Sequence, residues 1–95
     1  MSGQLDLGSV HDAAEIISAT LTVNGWSSSA QTVQDALLIA DGYAYIVSPA
    51  PSSFAAYNAR QIYADDVTTD GQITFHCTEA PSAAISVRIM RLEAE

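Results

Sequence analysis

Residues 84–92 read Ala-Ile-Ser-Val-Arg-Ile-Met-Arg-Leu, with Ile85, Val87 and Ile89 alternating with Ser86, Arg88 and Met90. Side chains of an extended chain point to opposite faces in turn, so this two-residue period describes a strand with one apolar and one polar face. The same period governs Thr20-Leu21-Thr22-Val23, which predicts Leu21 and Val23 on the inward face. Tyr43-Ala44-Tyr45-Ile46-Val47 is a strand by composition and is predicted to stop at Ser48-Pro49, because proline removes a ladder donor.

Turn signals separate these runs. Asn24-Gly25, Asp41-Gly42 and Asp70-Gly71 supply residues that tolerate positive backbone angles. Gln31 to Ile39 forms a second strand region, in which Ala36-Leu37-Leu38-Ile39 also fits a buried run; Arg60 to Asp65 is extended, and Gln72 to Thr78 is a further strand before the turn at Ala80-Pro81-Ser82. Pro51 to Asn58 reads as a connection holding one short helical turn, with Phe54 and Tyr57 on one face. The expectation is an all-β domain over residues 19–95, a single β-sandwich (jelly-roll or Ig-like) of about six to seven strands.

Residues 1–18 differ. Ser9 is placed to cap a short helix with Asp12 three residues on, and Val10, Ala13, Ala14 and Ile17 fall on one helical face. This predicts an N-terminal arm carrying a turn or two of amphipathic helix. No basic residue followed by an apolar run marks a signal peptide at this end, and no apolar stretch is long enough to cross a bilayer. The expectation is a chain made in a cytoplasm.

The 95 residues suffice for one two-layer core. Much of the 48% apolar content is alanine, so burial against copies of the chain or a partner would add to a thin core. Eleven acidic residues face only Arg60, Arg88 and Arg91, with no lysine and a net charge of −8. That balance argues against neutralising nucleic-acid phosphates and against docking on anionic membranes. The single cysteine, Cys77, rules out an intramolecular disulfide and shares a strand face with Ile73 and Phe75, as a buried inert thiol would.

No catalytic constellation is legible. Gly25-Trp26-Ser27-Ser28-Ser29 lacks the second glycine of a nucleophile elbow. His11 on the arm and His76 on an outward strand face are expected to be surface histidines, and with Cys77 they do not compose a zinc site. Asp65, Asp66 and Asp70 lie around one loop, but their spacing does not follow the helix-loop-helix calcium pattern, so turn formation and solubility explain them. The expectation is a non-enzyme with no cofactor. Trp26, Tyr43, Tyr45 and Tyr57, with Tyr63 beside them, remain as ligand-binding candidates, set against the plainer expectation that Trp26 plugs one end of the domain and the strand tyrosines pack half-buried.

The order of phrases Ala19-Thr20-Leu21-Thr22-Val23-Asn24-Gly25-Trp26, Gln31-Thr32-Val33, Ile46-Val47-Ser48-Pro49-Ala50-Pro51-Ser52 with Tyr57 after it, Ile73-Thr74-Phe75-His76-Cys77 and Ile85-Ser86-Val87-Arg88-Ile89 resembles a small β domain of phage virion appendage proteins. Such domains end tail-fibre, baseplate or head-fibre proteins, and the similarity covers most of residues 19–92. The chain departs from that pattern because only about 18 residues precede the domain, so the arm would itself have to be the anchor. The resemblance implies a capsid decoration or head-fibre protein of the virion, held to a capsid or tail protein through Leu5, Leu7, Val10 and Ile17 and assembled with copies of itself, for example as a trimer. Its alternative implication is a tail-fibre or baseplate tip whose aromatic residues contact a host cell-surface glycan.

Overall fold

The structure, a computed structural model, describes residues 14–93. Six strands run in the order β1 (Ala14–Leu21), β2 (Ala30–Gln34), β3 (Tyr43–Pro49), β4 (Tyr63–Ala64), β5 (Gln72–His76) and β6 (Ile85–Glu93), with a helix α1 (Phe54–Ala59) between β3 and β4. They form two small antiparallel three-stranded sheets, ordered β1-β6-β3 and β2-β5-β4. Only β4 and β5 follow one another within a sheet; every other connection passes from one sheet to the other.

β6 is the centre of the first sheet, and its alternation is realised in full: Ile85, Val87 and Ile89 are all but completely buried. Each contributes about 1.5–3 kcal/mol by leaving water. Ile17 and Leu21 of β1 and Ile73, Phe75 and Cys77 at β5 join them in one core cluster, completed by Leu38, Ile62 and Val67 from connections. Both sheets therefore turn their apolar faces to the same core.

β1 begins five residues earlier than the boundary at 18/19 anticipates. Ala14 to Ser18 pair with Leu92 to Arg88, and Ile17 is core. The helical spacing that included Ala14 and Ile17 is overturned because β6 offers this segment a full ladder of backbone partners and the β-branched pair Ile16-Ile17 suits a pleated surface. Ile17 is accordingly a core residue and not part of an anchor. Ser9, Asp12 and the remaining expected anchor residues, Leu5, Leu7 and Val10, lie outside the described residues.

The first turn also departs from expectation. Val23-Asn24-Gly25 is a 3-10 turn that leaves Val23 exposed, and Gly25 does not carry a positive φ. Its need for glycine is steric, since a Cβ there would stand 2.6 Å from both the Gln31 Oε1 and the Thr22 Oγ1. The positive angles fall instead on Ser28 (53°) and Ser29 (64°), which form the tight turn closed by Ser27 N–H to the Ala30 carbonyl at 2.8 Å and its reciprocal bond at 3.0 Å. Gly42 and Gly71 do adopt positive φ, as their turns require.

β2 ends at Gln34, short of the expected Ile39, because the Asp35 carboxylate accepts the Leu37 N–H at 2.9 Å and bends the chain. Beyond Pro49, pairing with β6 continues through Ala50 N–H to the Ser86 carbonyl at 2.9 Å, and the buried Ser53 Oγ accepts the Ser86 N–H at 2.9 Å. The helical turn after Pro51 is present, but Phe54 is 62% exposed while Tyr57 packs on the core. α1 ends with Gln61 at φ 52°, Gln61 N–H bonded to the Asn58 carbonyl and Ile62 N–H to the Tyr57 carbonyl, both at 3.1 Å. This is a Schellman closure, in which a left-handed residue satisfies orphan helix carbonyls. It shortens the extended pattern expected over Arg60 to Asp65 to the two residues of β4.

Candidate functional site

The first sheet ends at edge strand β3 and the second at edge strand β4. Alternation along β3 turns Tyr43, Tyr45 and Val47 away from the exposed Ala44, Ile46 and Ser48. Tyr43, Tyr45 and Val47 line a cleft of about 690 Å³, joined by Tyr57 from α1, Tyr63 from β4, and Asp65 and Asp66 just beyond it. Val67 and Ile73, both buried, add apolar surface to it. A volume of this size falls in the range that accepts a small ligand.

Four of the five aromatic candidates read from the sequence, Tyr43, Tyr45, Tyr57 and Tyr63, thus line one cleft. Trp26 does not. It packs on the core, and its indole Nε1 is buried without a hydrogen-bond partner. Beside it, the buried Gln31 amide accepts the Thr22 N–H through Oε1 at 2.9 Å and donates from Nε2 to the Thr22 carbonyl at 3.0 Å. That end is filled by protein, consistent with a plug. Tyr63, the candidate from β4, reaches the same cleft, although a two-residue strand leaves no alternation from which to place it there.

The tyrosines differ in what holds them. The Tyr45 hydroxyl accepts the Ile39 N–H at 2.7 Å and lies 3.0 Å from the Ile39 carbonyl and 3.3 Å from that of Leu37, tying the preceding loop to β3. The Arg91 guanidinium carbon stands 4.2 Å from the centre of the Tyr43 ring, a cation–π contact, while its Nη1 donates to the Leu37 carbonyl at 3.0 Å. Burial pushes the Tyr57 hydroxyl above its usual pKa of 10.0, since the charged phenolate is poorly solvated there. Tyr63 stacks on His76 with ring centres 5.1 Å apart.

His76 stands on the outward face of β5, as its strand phase anticipates, and is partly covered there. Its Nε2 lies 2.7 Å from the Asp65 carboxylate, and its ring stacks on that of Tyr63, its partner across the β4–β5 pair. The acidic loop is likewise divided among local tasks: Asp65 meets His76, and Asp70 accepts the Ala40 N–H at 2.8 Å. Among the described residues no three histidine, cysteine or acidic side chains gather as metal ligands would. Cys77 is buried on the core, as its strand phase anticipates, with its Sγ 3.8 Å from the Ser29 carbonyl.

A second exposed feature lies on the outer face of the first sheet. Register places Ile16, Met90 and Ile46 side by side across β1, β6 and β3. They are 55%, 37% and 55% exposed, and with Ser48 and Arg88 they border a shallow depression. The outer face of the second sheet is polar by contrast, with Thr32 opposite Thr74 at 2.9 Å between hydroxyls and Gln34 opposite Gln72. Comparison of the chain with protein-family models, with curated proteins and with solved structures finds no match.

Proposed function

We propose that this chain is a non-enzymatic structural protein of a phage virion surface, a capsid decoration or head-fibre component, in which copies assemble through the outer face of the β1-β6-β3 sheet. The observation that carries this reading is the Ile16-Met90-Ile46 row, three large apolar side chains in register on an open sheet face. An antiparallel sheet with one face in water normally makes that face polar, as the second sheet does. The row continues in register into Ala14, Leu92 and Ala44 on one side and is bordered by Ser18, Arg88 and Ser48 on the other, and a contiguous exposed apolar patch is the pattern of an interface. In this reading the two sheets form an open sandwich of jelly-roll or Ig-like kind, and residues 1–13, with Leu5, Leu7 and Val10, hold it to a capsid or tail protein.

Light scattering after size exclusion tests the assembly. The full chain is expected to run as an oligomer, with a trimer as the symmetric arrangement to look for, and Ile46→Glu to run as a folded monomer. A monomeric wild-type chain overturns assembly through this face. The virion placement is tested by labelling purified particles of the encoding phage with antibody to this chain; unlabelled particles overturn it.

A second reading has its own support. The convergence of Tyr43, Tyr45, Tyr57 and Tyr63 on one cleft favours recognition of a host-surface ligand, with a glycan as the expected class. Binding of the oligomer to host cells should fall in Tyr63→Ala, whose side chain is exposed and whose loss leaves the core intact.

A further inference from the structure

We infer that the tyrosine cleft between β3 and β4 takes an organic ammonium group, which it holds by ring faces and carboxylates together. This rests on the cleft being a recognition site and specifies what it recognises. Tyr43, Tyr45, Tyr57 and Tyr63 line it together with Asp65 and Asp66, and no arginine or lysine does, the nearest cation being the Arg91 guanidinium that rests on the Tyr43 ring. The electron-rich face of a tyrosine attracts a cation, and an ammonium group between several such rings gains from each. A carboxylate beside the group adds Coulomb attraction even in a water-exposed setting.

One ring, that of Tyr43, already shows this preference within the chain. Tyr43 carries the Arg91 guanidinium at 4.2 Å, and Tyr63 stacks on His76, the imidazole paired with Asp65. Asp66 is exposed and has no ion-pair partner among the described residues, so its charge is available to a ligand. An anionic ligand would meet two carboxylates inside a chain of net charge −8. A neutral sugar would donate hydroxyl hydrogen bonds to those carboxylates but bring no charge to answer theirs. The cleft, at about 690 Å³, is larger than an ammonium headgroup and so admits the headgroup together with the chain or sugar that bears it.

The test is a titration of the full chain, isotopically labelled for two-dimensional NMR, with choline chloride, glucosamine hydrochloride and N-acetylglucosamine, against sodium chloride at matched ionic strength. Choline is expected to shift the resonances of Tyr43, Tyr57, Tyr63 and Asp66 saturably, and Tyr63→Ala and Asp66→Asn to weaken it about fivefold each. Glucosamine binding there as well would identify the requirement as positive charge, and choline binding alone would identify it as the quaternary group; both outcomes support the inference. Shifts with N-acetylglucosamine but not with either amine overturn the ammonium inference while leaving a recognition cleft in place. Silence to all three ligands overturns both, and choline shifts that are unchanged in Tyr63→Ala and Asp66→Asn overturn the assignment to this cleft.

Discussion

Trp26 and the cleft tyrosines are all aromatic residues on a small β domain, yet they occupy opposite kinds of place. At the Trp26 end, the indole lies on the core, the Gln31 amide bridges to the backbone of Thr22, and Gly25 is packed so closely that a methyl group would collide with Gln31. At the β3–β4 flank the two sheet edges leave a gap, and four tyrosines line it with only some of their polar and π capacity engaged. An aromatic side chain is therefore a binding candidate only where neighbouring elements fail to close over it. The distinction is one of tertiary spacing and not of residue type.

The comparison is broken most forcefully at Trp26. Trp26→Ala should cost about 3 kcal/mol, because truncation of a large side chain packed on the core leaves a cavity. Thermal or denaturant unfolding reads this, with the Tyr63 and Asp66 resonances unmoved. A loss of stability below about 1 kcal/mol would mean that the Trp26 end is not the closed one. A smaller effect is expected of Gln31→Ala, about 2 kcal/mol, from three lost hydrogen bonds to Thr22, two of which leave its backbone groups unpaired.

The smallest effect belongs to the open flank and appears only in alkali. Tyr57 is neutral in the folded chain beyond the pH at which its unfolded counterpart, with a pKa near 10.0, ionises. The folded state then binds more protons than the unfolded one, so this contribution is whole below pH 10.0 and is lost as pH rises from there through the raised value. Stability measured from pH 9 upward should fall less steeply in Tyr57→Phe than in the wild type. Identical slopes would mean that Tyr57 is as well solvated as a tyrosine in the open.

Much of the fold was legible because backbone geometry leaves a short-range signature. The period of two at Ile85, Val87 and Ile89 identified β6, the strand on which the first sheet is built, and the phase of Ile73 and Phe75 placed Cys77 on the core. Asp41-Gly42 and Asp70-Gly71 turned where expected, their glycines at positive φ. The errors share a cause. Ala14 to Ile17 fitted a helical face as well as a strand, and pairing with residues about 75 positions later decided between them. Asn24-Gly25 carried the sequence signal of a tight turn, but the positive angles went to Ser28-Ser29, where the ladder between β2 and β5 required the chain to begin its run.

The site was legible by residue and not by arrangement. Tyr43 and Tyr45 could be placed on one face of β3 from alternation alone, but Tyr57 and Tyr63 come from a helix and a two-residue strand whose approach no local pattern encodes. The sequence by itself determined a mostly β chain with acidic loops, its principal strand phases and a supply of tyrosines, since these depend on side-chain alternation and composition. Only the tertiary structure decided which aromatic residues are closed over, that Ile16, Met90 and Ile46 form one row, and that the tyrosines share a cleft with Asp65 and Asp66. Each of those facts depends on contacts between residues far apart in the chain, and these are set by sheet order and register, which local preferences leave open.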